Sequence, residues 1–249
     1  MFDRNASHLI TQILPSSLPP SHPLNPTDCH INLVNPTAAE GQYIKTEYAY
    51  IRTYISDLHD EHKDDIDLFL HLGMAAGWDF VSIEQKGYRQ DFSWGWGSDE
   101  KQELYRIKDA AGKTVLDAPV LPWASRVPFG LIGTLDPITM AERANKSLEG
   151  ARKSDNEETP GSGGKEKSHG LSVKIHSDPG SYCCGFTYYE SLANKYAKGT
   201  RGHVMFCHVP EETDQESLEK ARDTVLAIIG AAAEEMTKEK NRSPRYQLM

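Results

Sequence analysis

The chain has 249 residues, 38% hydrophobic and 25% charged, with a net charge of −9 from 36 acidic and 27 basic residues. This balance suits one globular α/β domain and excludes a nucleic-acid partner, which needs a basic face. No apolar run approaches the ~20 residues that span a bilayer. Residues 1–10 lack an apolar signal core, so the expectation is a cytoplasmic protein with no membrane partner.

Residues 5–14 place Ala6, Leu9, Ile10, Ile13 and Leu14 at helical spacing and stop at Pro15, which predicts a first helix. A Pro-rich irregular stretch follows at 18–26, then a strand at 29–34 closed by Asn35-Pro36. Ile44, Tyr48, Ile51 and Ile55 share one face of a helix predicted over 39–58. Residues 66–72 form a nearly continuous apolar run, the pattern of a strand buried on both faces, and 80–83 read as a second short strand. Residues 91–130, with Trp94, Trp96 and Trp123, predict loops and short strands. A helix is predicted at 137–150.

Residues 151–167 are charged and nearly free of bulky apolar side chains, which predicts a disordered surface insertion. Its Gly-Ser-Gly-Gly-Lys run lacks the spacing of a phosphate-binding loop. A strand at 171–175, a helix at 181–196 and a strand at 204–209 follow. Thr213 and Glu216 predict a capping box for a last helix running to about residue 236. The alternation predicts a single α/β domain over 1–249, a three-layer sandwich with a mostly parallel sheet between helices.

The cysteines are Cys29, Cys183, Cys184 and Cys207, without a C-x-x-C pair. In a reducing compartment this points to one catalytic thiol, the others being core residues. The 171–175 strand leads through Ser177-Asp178-Pro179-Gly180 into a helix whose first turn holds Cys184. Unpaired N–H groups and the helix dipole favour a thiolate there. With 204–209 read as the neighbouring parallel strand, His208 at its end reaches the same sheet edge and is a candidate base for the thiol. Glu84 ends the 80–83 strand and is one of several acids that could orient the imidazole. Taken singly, a Cys or His in such places is more often a core or surface residue. His59 and His62 have H-x-x-H spacing, but solvated polar residues explain it, and neither a metal nor a cofactor is expected.

Three separated segments resemble one family. SDPGSYCCGFTYYESL at 177–192 resembles the nucleophile segment of pyroglutamyl peptidases of the pyrrolidone carboxyl peptidase type, whose cysteine falls on Cys184. GHVMFCHVP at 202–210 resembles the base segment, whose histidine falls on His208. HLGMAAGWDFVSIE at 71–84 resembles the segment whose glutamate falls on Glu84. The resemblance implies a metal-free cysteine peptidase that removes pyroglutamate from the N-terminus of peptides through a Cys184–His208–Glu84 triad, its fold one α/β domain. The family's opening strand and T-G-F-x-P-F motif have no counterpart ahead of Asn5-Ala6-Ser7. Met74 and Tyr182 are then the candidate walls of the ring pocket, and Arg89 the candidate for a family arginine in the loop after Glu84, all three as expected substrate-binding residues. A cysteine amidase for another small amide and a non-catalytic peptide-binding descendant are the competing readings. The sequence leaves the oligomeric state open.

Overall fold

A computed structural model describes residues 5–37, 43–89, 93–94, 102–103, 105, 107–122, 124–158, 170–200 and 202–241. Its elements are α1 (Ala6–Ile13), β1 (Ser17–Leu18), β2 (Ile31–Asn32), α2 (Tyr48–Glu61), β3 (Leu68–Met74), β4 (Val81–Glu84), β5 (Lys86–Tyr88), β6 (Ser93–Trp94), β7 (Gln102–Glu103), β8 (Gly130–Ile132), α3 (Pro137–Glu158), β9 (Val173–His176), α4 (Cys183–Lys198), β10 (His203–Val209) and α5 (Gln215–Asn241).

The central sheet has the order β3-β10-β4-β9. β10 runs parallel to β3, and β4 parallel to β9. The two pairs meet where β10 and β4 are antiparallel. Two of the three pairings are thus parallel, in line with the expected α/β sandwich. β10 lies inside the sheet, and its side chains alternate between two apolar layers. Met205, Cys207 and Val209 join Val81, Ile83, Ile10, Met140 and Val225 in the larger core, built with α1, α3 and α5. Val204 and Phe206 face the other way and pack with Phe69, Tyr188 and Leu192 beneath α4.

Two buried polar bridges fasten α4 on that second face. Arg52 of α2 donates through Nε and a terminal nitrogen to one Glu190 carboxylate oxygen of α4, at 3.1 and 2.8 Å, and its guanidinium lies over the Phe186 ring. At the next residue of α4, Ser191 Oγ sits 2.8 Å from His59 Nε2 of α2 and 2.8 Å from His71 Nε2 of β3. A hydroxyl has a single hydrogen, so it donates to one imidazole and accepts N–H from the other, which fixes both tautomers in the neutral state.

Several expected boundaries move. The strand predicted at 29–34 reduces to a two-residue pairing with β1, because Asn25 and Thr27 hold the preceding backbone in local turns. The helix predicted from residue 39 starts at Tyr48, whose N–H donates to Asp109 Oδ2 across the chain; residues 38–42 lie outside the described set. Helix α3 continues to Glu158, so the stretch predicted to be disordered begins as helix, in keeping with the high helix propensity of its Ala, Arg, Lys and Glu residues. Residues 159–167 lie outside the described set. Asp214 rather than Thr213 caps α5, accepting the Ser217 N–H. Of the three tryptophans expected in loops and short strands, Trp94 falls in β6, while Trp96 and Trp123 lie outside the described set.

The His59–Ser191–His71 bridge makes stability depend on pH. Burial, reinforced by His71 and nearby lysines, pulls His59 down to about 3, and burial pulls His71 down to about 4. Both folded values lie below the unfolded value of ~6.5, so the unfolded chain binds more protons below that pH. The contribution is complete above pH ~6.5 and is lost as pH falls toward 4. Urea unfolding between pH 6.5 and 4.5 is expected to show stability falling by up to about 1.4 kcal/mol per pH unit for each imidazole. His59→Leu should remove about one proton from that slope, and an unchanged slope would rule out the bridge as its source.

Candidate active site

The antiparallel register between β4 and β10 sets His208 opposite Ser82 and Cys207 opposite Ile83. The parallel register between β4 and β9 sets His176 opposite Glu84. The two-residue strand period then brings Ser82, Glu84, His176, Phe206 and His208 to one sheet face, the face that α4 covers.

Glu84 is the hub of this face. Only 2% of it is exposed. Its Oε1 accepts from His208 Nδ1 at 2.9 Å and from the Ser82 hydroxyl, and its Oε2 accepts from His176 Nδ1 at 2.8 Å. Burial alone would push the carboxyl up, but hydrogen bonds from His208, Ser82 and His176 outweigh it and hold the group below its usual range. His208 donates Nδ1–H to this carboxylate, which leaves Nε2 as the ring nitrogen available to the neighbouring Cys184 thiol. Burial pulls the His208 imidazole down, yet hydrogen bonds to Cys184 and Glu84, with their charges, raise it to about 9. At neutral pH the imidazolium therefore lies between a carboxylate and a sulfur.

Cys184 is the second residue of α4 and is half-buried. Tyr182 occupies the N-cap position, and no side chain caps the helix there. The first bond into the helix runs from Phe186 N–H to the Tyr182 carbonyl, so the N–H groups of the first turn stand beside Cys184. The turn ahead of the helix is made by Gly180 at φ 81° and by Asp178, which accepts the Gly180 N–H. That turn folds onto the helix so closely that a Cβ on Gly185 would lie 1.9 Å from the Gly180 carbonyl oxygen.

The other thiols are placed differently. Cys183 and Cys207 are buried and Cys29 is exposed. Burial pushes the Cys183 thiol up to about 12 and Cys207 far above its ordinary value.

The structure thus brings Cys184, His208 and Glu84 together at one site, with His208 hydrogen-bonded to Glu84 and Cys184 its neighbour on the other side. Ser82, His176 and Trp78 belong to the same site and were not singled out in the sequence. Trp78 sets its ring edge-on to both His176 and His208, with centroids 5.1 and 5.7 Å apart. The period of two along 82–84 was the available signal for Ser82, and His176 sits one residue ahead of the nucleophile segment. Met74 ends β3, beside Val209. Tyr182 packs edge-on to Tyr48. Arg89 lies over the Phe129 ring and donates to the carbonyls of Ala124 and Val127. Among the described residues, no group of three or more His, Cys, Asp or Glu is arranged to hold a metal ion.

One expectation about the approach of these residues is corrected. β9 and β10 are not adjacent parallel strands, because β4 lies between them and β9 runs opposite to β10. Cys184 and His208 meet on the sheet face under α4, with β4 contributing Glu84 between the other two strands.

No family model matches the chain, and no curated protein matches it significantly in sequence. Its fold does match solved structures. A mutant pyrrolidone carboxyl peptidase from the hyperthermophile Pyrococcus furiosus superposes with a TM-score of 0.56 at 19% identity, over 94% of this chain and 93% of that one. The pyrrolidone carboxyl peptidase of Thermococcus litoralis gives 0.56 at 15% identity, over 99% and 93%. A further structure of the Pyrococcus furiosus enzyme, solved with its Cys-free mutant, gives 0.55 at 20% identity, over 95% and 92%. The chain therefore has the pyrrolidone carboxyl peptidase fold.

Gly73 leaves room for the His208 ring. It lies beside His208 in the β3–β10 ladder, and a Cβ there would sit 2.9 Å from His208 Cδ2 and 2.8 Å from Phe206 Cζ. Gly73→Ala is expected to displace the imidazole from Cys184 and to slow alkylation of that thiol at pH 7 by roughly tenfold, the cost of losing one charge-assisted contact. Peptide mass spectrometry of the labelled protein measures it; an unchanged rate in a folded variant would show that Gly73 does not set the ring position.

Proposed function

We propose that this chain is a cysteine peptidase that removes N-terminal pyroglutamate from peptides, with Cys184 as nucleophile, His208 as acid and base, and Glu84 as the group that orients the imidazole. The observation that carries the reading is the placement of the half-buried Cys184 at the start of α4 beside His208, whose Nδ1 is held by the buried Glu84 carboxylate. The fold shared with the pyrrolidone carboxyl peptidases supports the substrate class.

In this mechanism Cys184 Sγ attacks the pyroglutamyl carbonyl carbon while its proton resides on His208 Nε2. The carbonyl oxygen takes up negative charge, which the N–H groups at the uncapped start of α4 are placed to receive. His208 gives its proton to the amine nitrogen, the C–N bond breaks and the shortened peptide leaves. Water then attacks the thioester, with His208 taking one of its protons and returning it to Sγ as free pyroglutamate departs. Glu84 holds the Nδ1–H tautomer throughout and stabilises the imidazolium. Met74 and Tyr182 are assigned to the walls around the substrate ring. Arg89 is assigned to holding the 124–129 backbone, since its guanidinium is engaged there.

Hydrolysis of a fluorogenic pyroglutamyl amide is the test. The parent chain is expected to release fluorophore, and Cys184→Ala to abolish it. Glu84→Gln should lower kcat by a factor of roughly 10²–10⁴, the range for removing an orienting carboxylate. The rate should fall above about pH 9, where the imidazolium of His208 loses its proton. A folded parent without hydrolysis would overturn the assignment, leaving an amidase for another amide or a peptide-binding protein.

A further inference from the structure

The Glu84 carboxylate serves two histidines. His208 occupies Oε1 and His176 occupies Oε2, at 2.9 and 2.8 Å. Only His208 reaches the thiol, and the mechanism above makes no use of His176.

Three features set His176 apart from an ordinary surface histidine. Its side chain is 43% exposed, yet it contacts a carboxylate whose side chain is 0% exposed. Its place is fixed by the backbone, because β9 pairs in register with β4 at His176 and Glu84, and the His176 carbonyl accepts the Gln85 N–H. Its ring is also held edge-on by Trp78, which contacts His208 in the same way. Such placement requires the Nδ1–H tautomer in the neutral ring, since Oε2 of an ionised carboxylate only accepts.

A carboxylate with one oxygen bound and the other free can rotate about its terminal bond and trade partners. Ser82 and His208 share Oε1, so rotation would cost both contacts. We propose that His176 is a positioning residue for catalysis: by anchoring Oε2 it holds Oε1 on His208, and so keeps the imidazole aimed at Cys184. Glu84 on β4 faces it, His208 on β10 shares that carboxylate, and Lys174 and Asp178 lie two residues to either side of it along the chain. Of these, Glu84 alone hydrogen-bonds it among the described residues.

The inference deepens the peptidase reading, so its test is independent of any substrate. The readout is the pH profile of Cys184 alkylation by iodoacetamide, in a Cys29→Ala background, with the modified peptide quantified by mass. His176→Asn retains an N–H donor near the position of Nδ1, whereas His176→Leu removes it and His176→Asp puts an acceptor in its place. Losing a donor to Glu84 makes its carboxyl more basic, and protonation of Glu84 weakens the imidazolium next to the thiol. The acid limb should therefore move up by about one pH unit in His176→Leu, the worth of one hydrogen bond to a charged group. It should move further in His176→Asp and stay near the parent in His176→Asn. In the pyroglutamyl amide assay the same order should appear in kcat, with KM unchanged. A profile for His176→Leu that superposes on the parent would sink the proposal. So would an equal shift in His176→Asn, since packing against Trp78 would then be the cause. If no variant hydrolyses the amide while the alkylation profiles follow the expected order, the substrate assignment fails and the role of His176 stands. Should His176→Leu fail to fold, the Asn and Asp variants alone decide the matter.

Discussion

A carboxylate buried in the face of a β-sheet constrains everything around it. Moving such a charge out of water is costly unless hydrogen bonds replace the lost solvation. Glu84 is sealed under α4, and donors come to both of its oxygens from three different strands. Each strand is thereby tied in register, because a slip of one residue in β9 or β10 would turn His176 or His208 to the opposite face. The mixed direction of the sheet serves the same end. With β4 antiparallel to β10 and parallel to β9, one short strand offers its carboxylate to a histidine on either side.

The thiol side depends on how α4 is held. Apolar packing alone would let a helix slide over a sheet by small amounts, since dispersion contacts are individually weak and not directional. Glu190 with Arg52, and Ser191 with His59 and His71, are directional and lie next to each other along the helix. They fix α4 against both α2 and β3 at its middle, about two turns from Cys184. The close fit of Gly185 under the Gly180 carbonyl fixes its beginning. With the helix held at both places, the distance from thiol to imidazole is a property of the fold and not of the local loop.

The sequence pointed to the three side chains proposed to react, but not to the geometry that joins them. Cys184, His208 and Glu84 were legible because each lies at the end of a strand or the start of a helix with recognisable punctuation. Strand order was not legible: 171–175 and 204–209 read as neighbours, and nothing in their composition announces that β4 enters between them. Strand pairing is decided by contacts remote in sequence. The same holds for the start of α2, where Asp109 on a distant loop takes the Tyr48 N–H. His176 escaped notice for a related reason. On its own it is a histidine at a strand end, and only the register with Glu84 gives it a partner.

The adjacent thiols Cys183 and Cys184 show how differently two neighbouring residues of one helix can be placed. Successive residues on an α-helix point about 100° apart. Cys183 turns into the cluster of Tyr48, Tyr105 and Phe186, where burial keeps its proton on. Cys184 turns toward the layer that holds Phe206 and meets the imidazole of His208. Both sit at the same helix end, so the dipole acts on both alike and cannot be what distinguishes them. The difference lies in the partner across the interface. In the proposed mechanism the helix terminus then supplies the N–H groups for the oxyanion, whereas the choice of nucleophile falls to β10 and, behind it, to the carboxylate that holds its histidine.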